Sequence, residues 1–186
     1  MRRLMPVVAL LAILGTGIAG CGDRSLILTV NVLSFLDPSE TSATYSAPGG
    51  FPSGTVDIAD RSVNLLQGLN DATDVASATL DFAATLDNQT GTATGTLLFY
   101  AVPSDTASLF TSIPIASIPI SLTPGTITNV STRVTSDALA EALVSDQARV
   151  GIRLSLDTSA TPLGQNVQGT ETITQLLATV VTKKKI

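Results

Sequence analysis

From Leu26 to Leu33 the chain alternates, with Leu26, Leu28, Val30 and Val32 on one face and Ile27, Thr29, Asn31 and Leu33 on the other. A period of two with β-branched residues reads as a strand. Residues 37–54 (DPSETSATYSAPGGFPSG) break that rhythm with Pro, Gly and Ser, and predict a long loop of the functional or disordered kind. Short strands are expected at Thr55–Ile58 and again at Ser62–Leu66. Next, Ala76, Ala78, Leu80, Phe82, Ala84 and Leu86 share one face, with Ser77, Thr79, Asp81 and Thr85 opposite. The run Asp87-Asn88-Gln89-Thr90-Gly91 is a turn, and Thr92–Val102 alternates again, so a long β-hairpin is expected. Phe82 and Phe99 fall on the apolar faces and belong to the core.

Past Pro103, Ser112-Ile113-Pro114-Ile115 is echoed by Ser117-Ile118-Pro119-Ile120. Proline cannot donate to a ladder, so this segment is an edge strand or an extended connector. Further strands are expected at Thr126–Val134, Arg149–Leu156 and Glu171–Thr182. A helix is expected at Asp137–Val144, capped by Ser136 or Asp137 and rich in good helix formers. Many short strands separated by turn residues predict an all-β fold, an antiparallel β-sandwich with one short helix. The strand pattern is immunoglobulin-like, without the Cys…Trp…Cys spacing, and a small β-barrel fits the same pattern. No stretch between the strands reads as a linker, so residues 26–186 form a single domain.

The first twenty residues follow a different logic. Arg2 and Arg3 precede an apolar run from Leu4 to Ile18, which ends in Ile18-Ala19-Gly20-Cys21. A basic start, a short apolar run and small residues at a cleavage site make a secretory signal. The run falls short of the roughly 18–20 apolar residues a spanning helix needs. With cysteine directly after Ala-Gly, the segment resembles the lipobox of bacterial lipoproteins, a resemblance confined to residues 1–21. It implies a signal peptide at 1–20 that is cut before Cys21. It also implies a diacylglycerol thioether on that cysteine and a fatty-acyl chain, such as palmitate, on the new amino group. Two or more chains hold a protein stably on a membrane without spanning it. In that family an Asp directly after the cysteine favours inner-membrane retention; Gly22 stands there, so the outer membrane is favoured. Residues 21–25 would be the lipidated tether. Its four residues after Cys21 reach roughly 13 Å at full extension, which keeps the domain against the bilayer.

Composition then narrows the chemistry. The net charge is −5 and the leader contributes only arginines, so an acidic surface argues against nucleic acid. There is no histidine and Cys21 is the lone cysteine, which removes Ser-His-Asp and Cys-His catalysis, histidine metal ligands and internal disulfides. Lysine occurs only at Lys183, Lys184 and Lys185, where a solvated tail or a contact to anionic headgroups is possible. Glu40, Glu141 and Glu171 lie far apart, so a paired-carboxylate hydrolase is disfavoured and no catalytic residue is assigned. Asn70, Asp71 and Asp74, and separately Asp57 and Asp60, lack calcium-loop spacing and read as turn formers. No metal site and no cofactor are expected.

Two aromatics stand apart. Tyr45 and Phe51 lie in the 37–54 loop, where each can anchor a partner or fold back over the open end of the sandwich. The sequence therefore predicts a membrane-anchored, non-enzymatic binding or structural module of the bacterial cell envelope. Its expected partners are the membrane, through the anchor, and an envelope protein or glycan. The alternative is a small-molecule or glycan-binding lipoprotein that uses the 37–54 loop.

Overall fold

A computed structural model describes residues 24–35, 39, 41–63, 74–103, 108–144 and 148–184. Cys21, the leader, Glu40, residues 64–66, Asn70, Asp71 and Lys185 lie outside the described residues. Among the described residues, nine strands and one helix follow in order: β1 (Arg24–Asn31), β2 (Ser42–Pro48), β3 (Gly54–Val63), β4 (Asp74–Thr90), β5 (Ala93–Pro103), β6 (Ala116–Leu122), β7 (Thr126–Thr135), α1 (Asp137–Val144), β8 (Ala148–Asp157) and β9 (Asn166–Lys184). Short 3-10 turns occupy Val32–Phe35 and Leu109–Thr111.

The strands form two antiparallel sheets. One runs β1-β9-β4-β7, with β2 also paired to β9; the other runs β3-β8-β5-β6. Among the described residues no ladder joins the sheets, so this is a sandwich and not a barrel. β9 is its spine. β1 covers the C-terminal half of β9 (Arg24 opposite Lys184) and β2 covers the N-terminal half (Pro48 opposite Asn166). Between them the Ile173 N–H donates to Thr41 O at 2.8 Å.

The expected hairpin does not form. β4 and β5 exist where alternation places them, but β4 pairs with β7 and β9 while β5 pairs with β6 and β8. Gly91, at φ +71°, turns the chain from one sheet into the other. A Cβ on Gly91 would stand 2.8 Å from Asn166 O and from Val167 Cα, so the crossing needs glycine's missing side chain as well as its freedom at positive φ. Most other connections also cross between sheets. Phe82 of β4 and Phe99 of β5 then meet in the core, ring centroids 5.3 Å apart. Two further expectations change. Residues 55–63 form one bulged strand instead of two short ones. Within the predicted 37–54 loop, Ser42–Pro48 is a strand.

The proline echo resolves as expected in its second copy. β6, which contains Pro119, is the edge of its sheet. The first copy follows a strap at Leu109–Thr111 that covers the outer face of β5. Leu109 and Phe110 pack on Tyr100 and Val102, and the Arg153 guanidinium carbon lies 4.3 Å from the Phe110 ring centroid. α1 matches its predicted bounds. The Leu139 N–H donates to Ser136 Oγ, which makes Ser136 the cap. Leu139 and Ala142 are buried against the sandwich.

Candidate functional site

Strand direction sorts the connections between two ends. The start of β1 at Arg24, the end of β9 at Lys184, the end of β3 at Val63, the start of β4 at Asp74 and α1 share one end. Residues 49–53, 91–92, 123–125 and 158–165 share the other, hereafter the far end.

Tyr45 sits at the base of the far end. Alternation in β2 turns Tyr45 and Ala47 inward, and Tyr45 is only 2% exposed. Its ring lies across Gly169, where a Cβ would come within 2.6 Å of Tyr45 Cζ. Tyr45 Oη donates to Asn88 Oδ1 at 3.2 Å, and Asn88 Nδ2 donates to Gly91 O at 2.7 Å. Burial, with a smaller contribution from the charge of Asp87, pushes the phenol up to about 12. Tyr45 is thus a core residue that fixes the β4–β5 crossing. The partner-anchor reading of this side chain is overturned, because it is sealed from solvent.

Phe51 behaves differently, with 47% of its surface exposed. Its backbone is locked. The Phe51 N–H donates to Thr158 Oγ1 (3.2 Å), the Thr158 N–H donates to Phe51 O (2.8 Å), and the Thr158 hydroxyl donates to Pro48 O (2.7 Å). The Gly49 N–H donates to Gln165 O at 2.8 Å, and a Cβ on Gly49 would stand 2.5 Å from Thr161 Cγ2. Thr161 Oγ1 accepts from the Thr92 N–H (2.7 Å) and donates to Thr92 O (2.8 Å). The Thr90 hydroxyl donates to Asn166 O at 2.9 Å, and the Gly125 N–H donates to Asn88 O at 2.7 Å. The buried hydroxyls of Thr158 and Thr161 therefore hold residues 49–53, 91–92 and 158–165 in one arrangement, because an unmade buried hydrogen bond costs far more than a made one contributes. Beside them an open depression of about 360 Å³ is lined by Thr90, Gly164, Gln165, Asn166 and Gln168.

Three aspartates are engaged in ion pairs. Asp57 pairs with Arg153, Asp60 with Arg149 and Asp81 with Arg133, all across strands on outer faces. Asp57 and Asp60 therefore serve as ion-pair partners; the turn-forming reading of these two is replaced. The Arg133 guanidinium holds Asp81 below the usual carboxylate range, chiefly through its hydrogen bonds at 2.6 and 2.8 Å. That pair flanks a second open depression of about 410 Å³ beside Gln175, with its charges already spent on one another. Among the described residues no group of three His, Cys, Asp or Glu could hold a metal ion.

Glu171 is the feature that sequence reading passed over. It occupies an inward slot of β9, opposite Ala43 on β2 and Leu86 on β4, and is 1% exposed. Its Oε1 has no hydrogen-bond partner, and burial raises its carboxyl to about 8. The signal was present: Val167, Gly169, Glu171 and Ile173 share one parity of the alternation, so the charge falls on the apolar face.

No protein-family model and no curated protein matches the chain. Among solved structures it is similar to the crystal structure of the infectious bursal disease virus VP2 subviral particle, at 10% identity and a TM-score of 0.49; the match covers 98% of this chain and 41% of that one. It is also similar to the structure of the infectious bursal disease virus Gt strain, at 10% identity and a TM-score of 0.45, covering 98% and 43%. The chain spans about two fifths of the length of those chains. A likeness this loose says nothing about what the protein does.

Proposed function

We propose that this chain is a lipid-anchored, non-enzymatic module of the bacterial cell envelope. Cys21 holds it to a membrane, with the outer membrane favoured, and its far end faces a partner. The observation that carries the reading is the start of β1 at Arg24. Only Gly22 and Asp23 separate that strand from the lipobox cysteine, a reach of about 10 Å. So short a link sets the α1 end against the bilayer. β4, with 17 residues rising about 3.3 Å each, carries the far end tens of ångströms away. The non-enzymatic part is supported by the absence of histidine from the sequence, by the ion-paired aspartates and by the burial of Glu171 away from solvent.

Metabolic labelling with an alkyne-bearing palmitate tests the anchor. The wild-type chain is expected to take up label and to leave membranes only with detergent. Cys21→Ala is expected to lose both properties. An unlabelled wild-type chain would overturn the proposal.

A further inference from the structure

We infer that the far end carries a binding site for a neutral glycan, centred on Gln165, Asn166 and Gln168 beside the exposed Leu163. The reading of this end as the outward-facing one supplies access; the chemistry of the site does not depend on it.

The lining decides the ligand's charge and polarity. None of Thr90, Gly164, Gln165, Asn166 and Gln168 ionises, so the depression offers an ionic ligand no counter-charge. Its amides have hydrogen-bonding capacity to spare. Asn166 Nδ2 and Gln168 Nε2 both reach a single hydroxyl, Ser46 Oγ, over long contacts of 3.4 and 3.3 Å. Each keeps a second N–H and a carbonyl oxygen, since a side-chain amide has two donors and an acceptor with two lone pairs. Such groups suit the vicinal hydroxyls and acetamido groups of a sugar.

Leu163 supplies the apolar half. It is 76% exposed and covers Gly50, where a Cβ would stand 2.5 Å from Leu163 Cδ2. A pyranose ring has one such pair of surfaces, a polar edge and a face of C–H bonds. A peptide is the poorer fit, because strand addition requires a free sheet edge and this depression lies at strand ends. Order is also in place before binding. The Gln165 backbone is fixed from both sides, its N–H to Pro162 O at 3.1 Å and its carbonyl to the Gly49 N–H. A pre-ordered loop avoids the entropy cost of ordering during binding.

Calorimetric titration of the full chain in detergent tests the site. The probes are tetra-N-acetylchitotetraose, tetragalacturonate as an acidic counterpart and tetra-alanine as a neutral peptide. The neutral sugar is expected to bind with a millimolar or tighter Kd, and the acidic one at least about tenfold more weakly. Gln165→Ala with Gln168→Ala is expected to weaken the neutral sugar by about tenfold or more while leaving the thermal midpoint in place. Three results would overturn the inference: no heat from the neutral sugar at 10-fold molar excess up to about 10 mM, equal affinity for the acidic sugar or for tetra-alanine, or unchanged binding in the double variant. Palmitate labelling of the same preparation reports on the anchor separately, so the two readings fail independently.

Discussion

At the far end, Thr158, Thr161 and Asn88 are sealed from solvent, and each spends its side chain on the backbone of a neighbouring connector. At the opposite end, α1 closes the sandwich by laying Leu139 and Ala142 on the core. Hydrogen bonds are directional and apolar contacts are not. The first arrangement therefore fixes where loops stand, while the second only excludes water. A surface that must present side chains in a set geometry belongs at the polar end. Under the proposed anchoring, the α1 end would meet a bilayer and would need no such precision.

Glu171 is the exception to the pattern of the far half, and altering it has the largest expected effect. Below about 4.5 its carboxyl is protonated in both folded and unfolded chains. From there to about 8 only the unfolded chain ionises, so the folded state holds the extra proton. Stability should then fall by about 1.4 kcal/mol per pH unit across that window, about 5 kcal/mol in all. Urea denaturation of Glu171→Gln at several pH values is expected to show this descent removed. A variant that keeps the wild-type slope would mean that another group causes the descent.

The two closures can be broken separately. Leu139→Ala is expected to cost about 2–4 kcal/mol by leaving a cavity under α1. Its amide exchange should rise at 137–144 and stay unchanged at 158–165. Thr161→Val is expected to cost less, about 1–3 kcal/mol, by orphaning the Thr92 N–H and carbonyl. Here exchange should rise at 91–92 and 158–165, with α1 untouched. Exchange that spreads to both ends in either variant would show that the sandwich opens as one unit and that the contrast is only geometric.

Alternation along the chain located β5, β7 and β8 nearly to the residue and the body of β4, because period two reports which face a side chain takes. It does not report which strand lies alongside. Asp87–Gly91 looked like a hairpin turn, yet 87–90 continue β4 and the chain crosses to the opposite sheet at Gly91, where Tyr45 meets Asn88 and Val167 meets Gly91 from distant parts of the sequence. β2 was hidden for another reason. Its outward residues, Ser42, Thr44 and Ser46, have a loop's composition, and Pro48 with Gly49 and Gly50 follows directly. The alternation of Ala43, Tyr45 and Ala47 lay beneath. Of the two loop aromatics, Phe51 is half exposed and Tyr45 is sealed in the core. The amides of that site carry no periodic signal and are brought together only by the 158–165 turn.

The antiparallel pairing of β1 with β9 also decides how the domain bears load. A pull on residue 24 toward the chain start runs along the strand axis, while the ladder from Arg24 to Asn31 lies perpendicular to it. The bonds of β1 are therefore loaded together in shear instead of being peeled one after another from an end. If the chain is held at Cys21 as proposed, drag on a ligand at the far end would reach that anchor through the whole ladder at once, as through a lap joint.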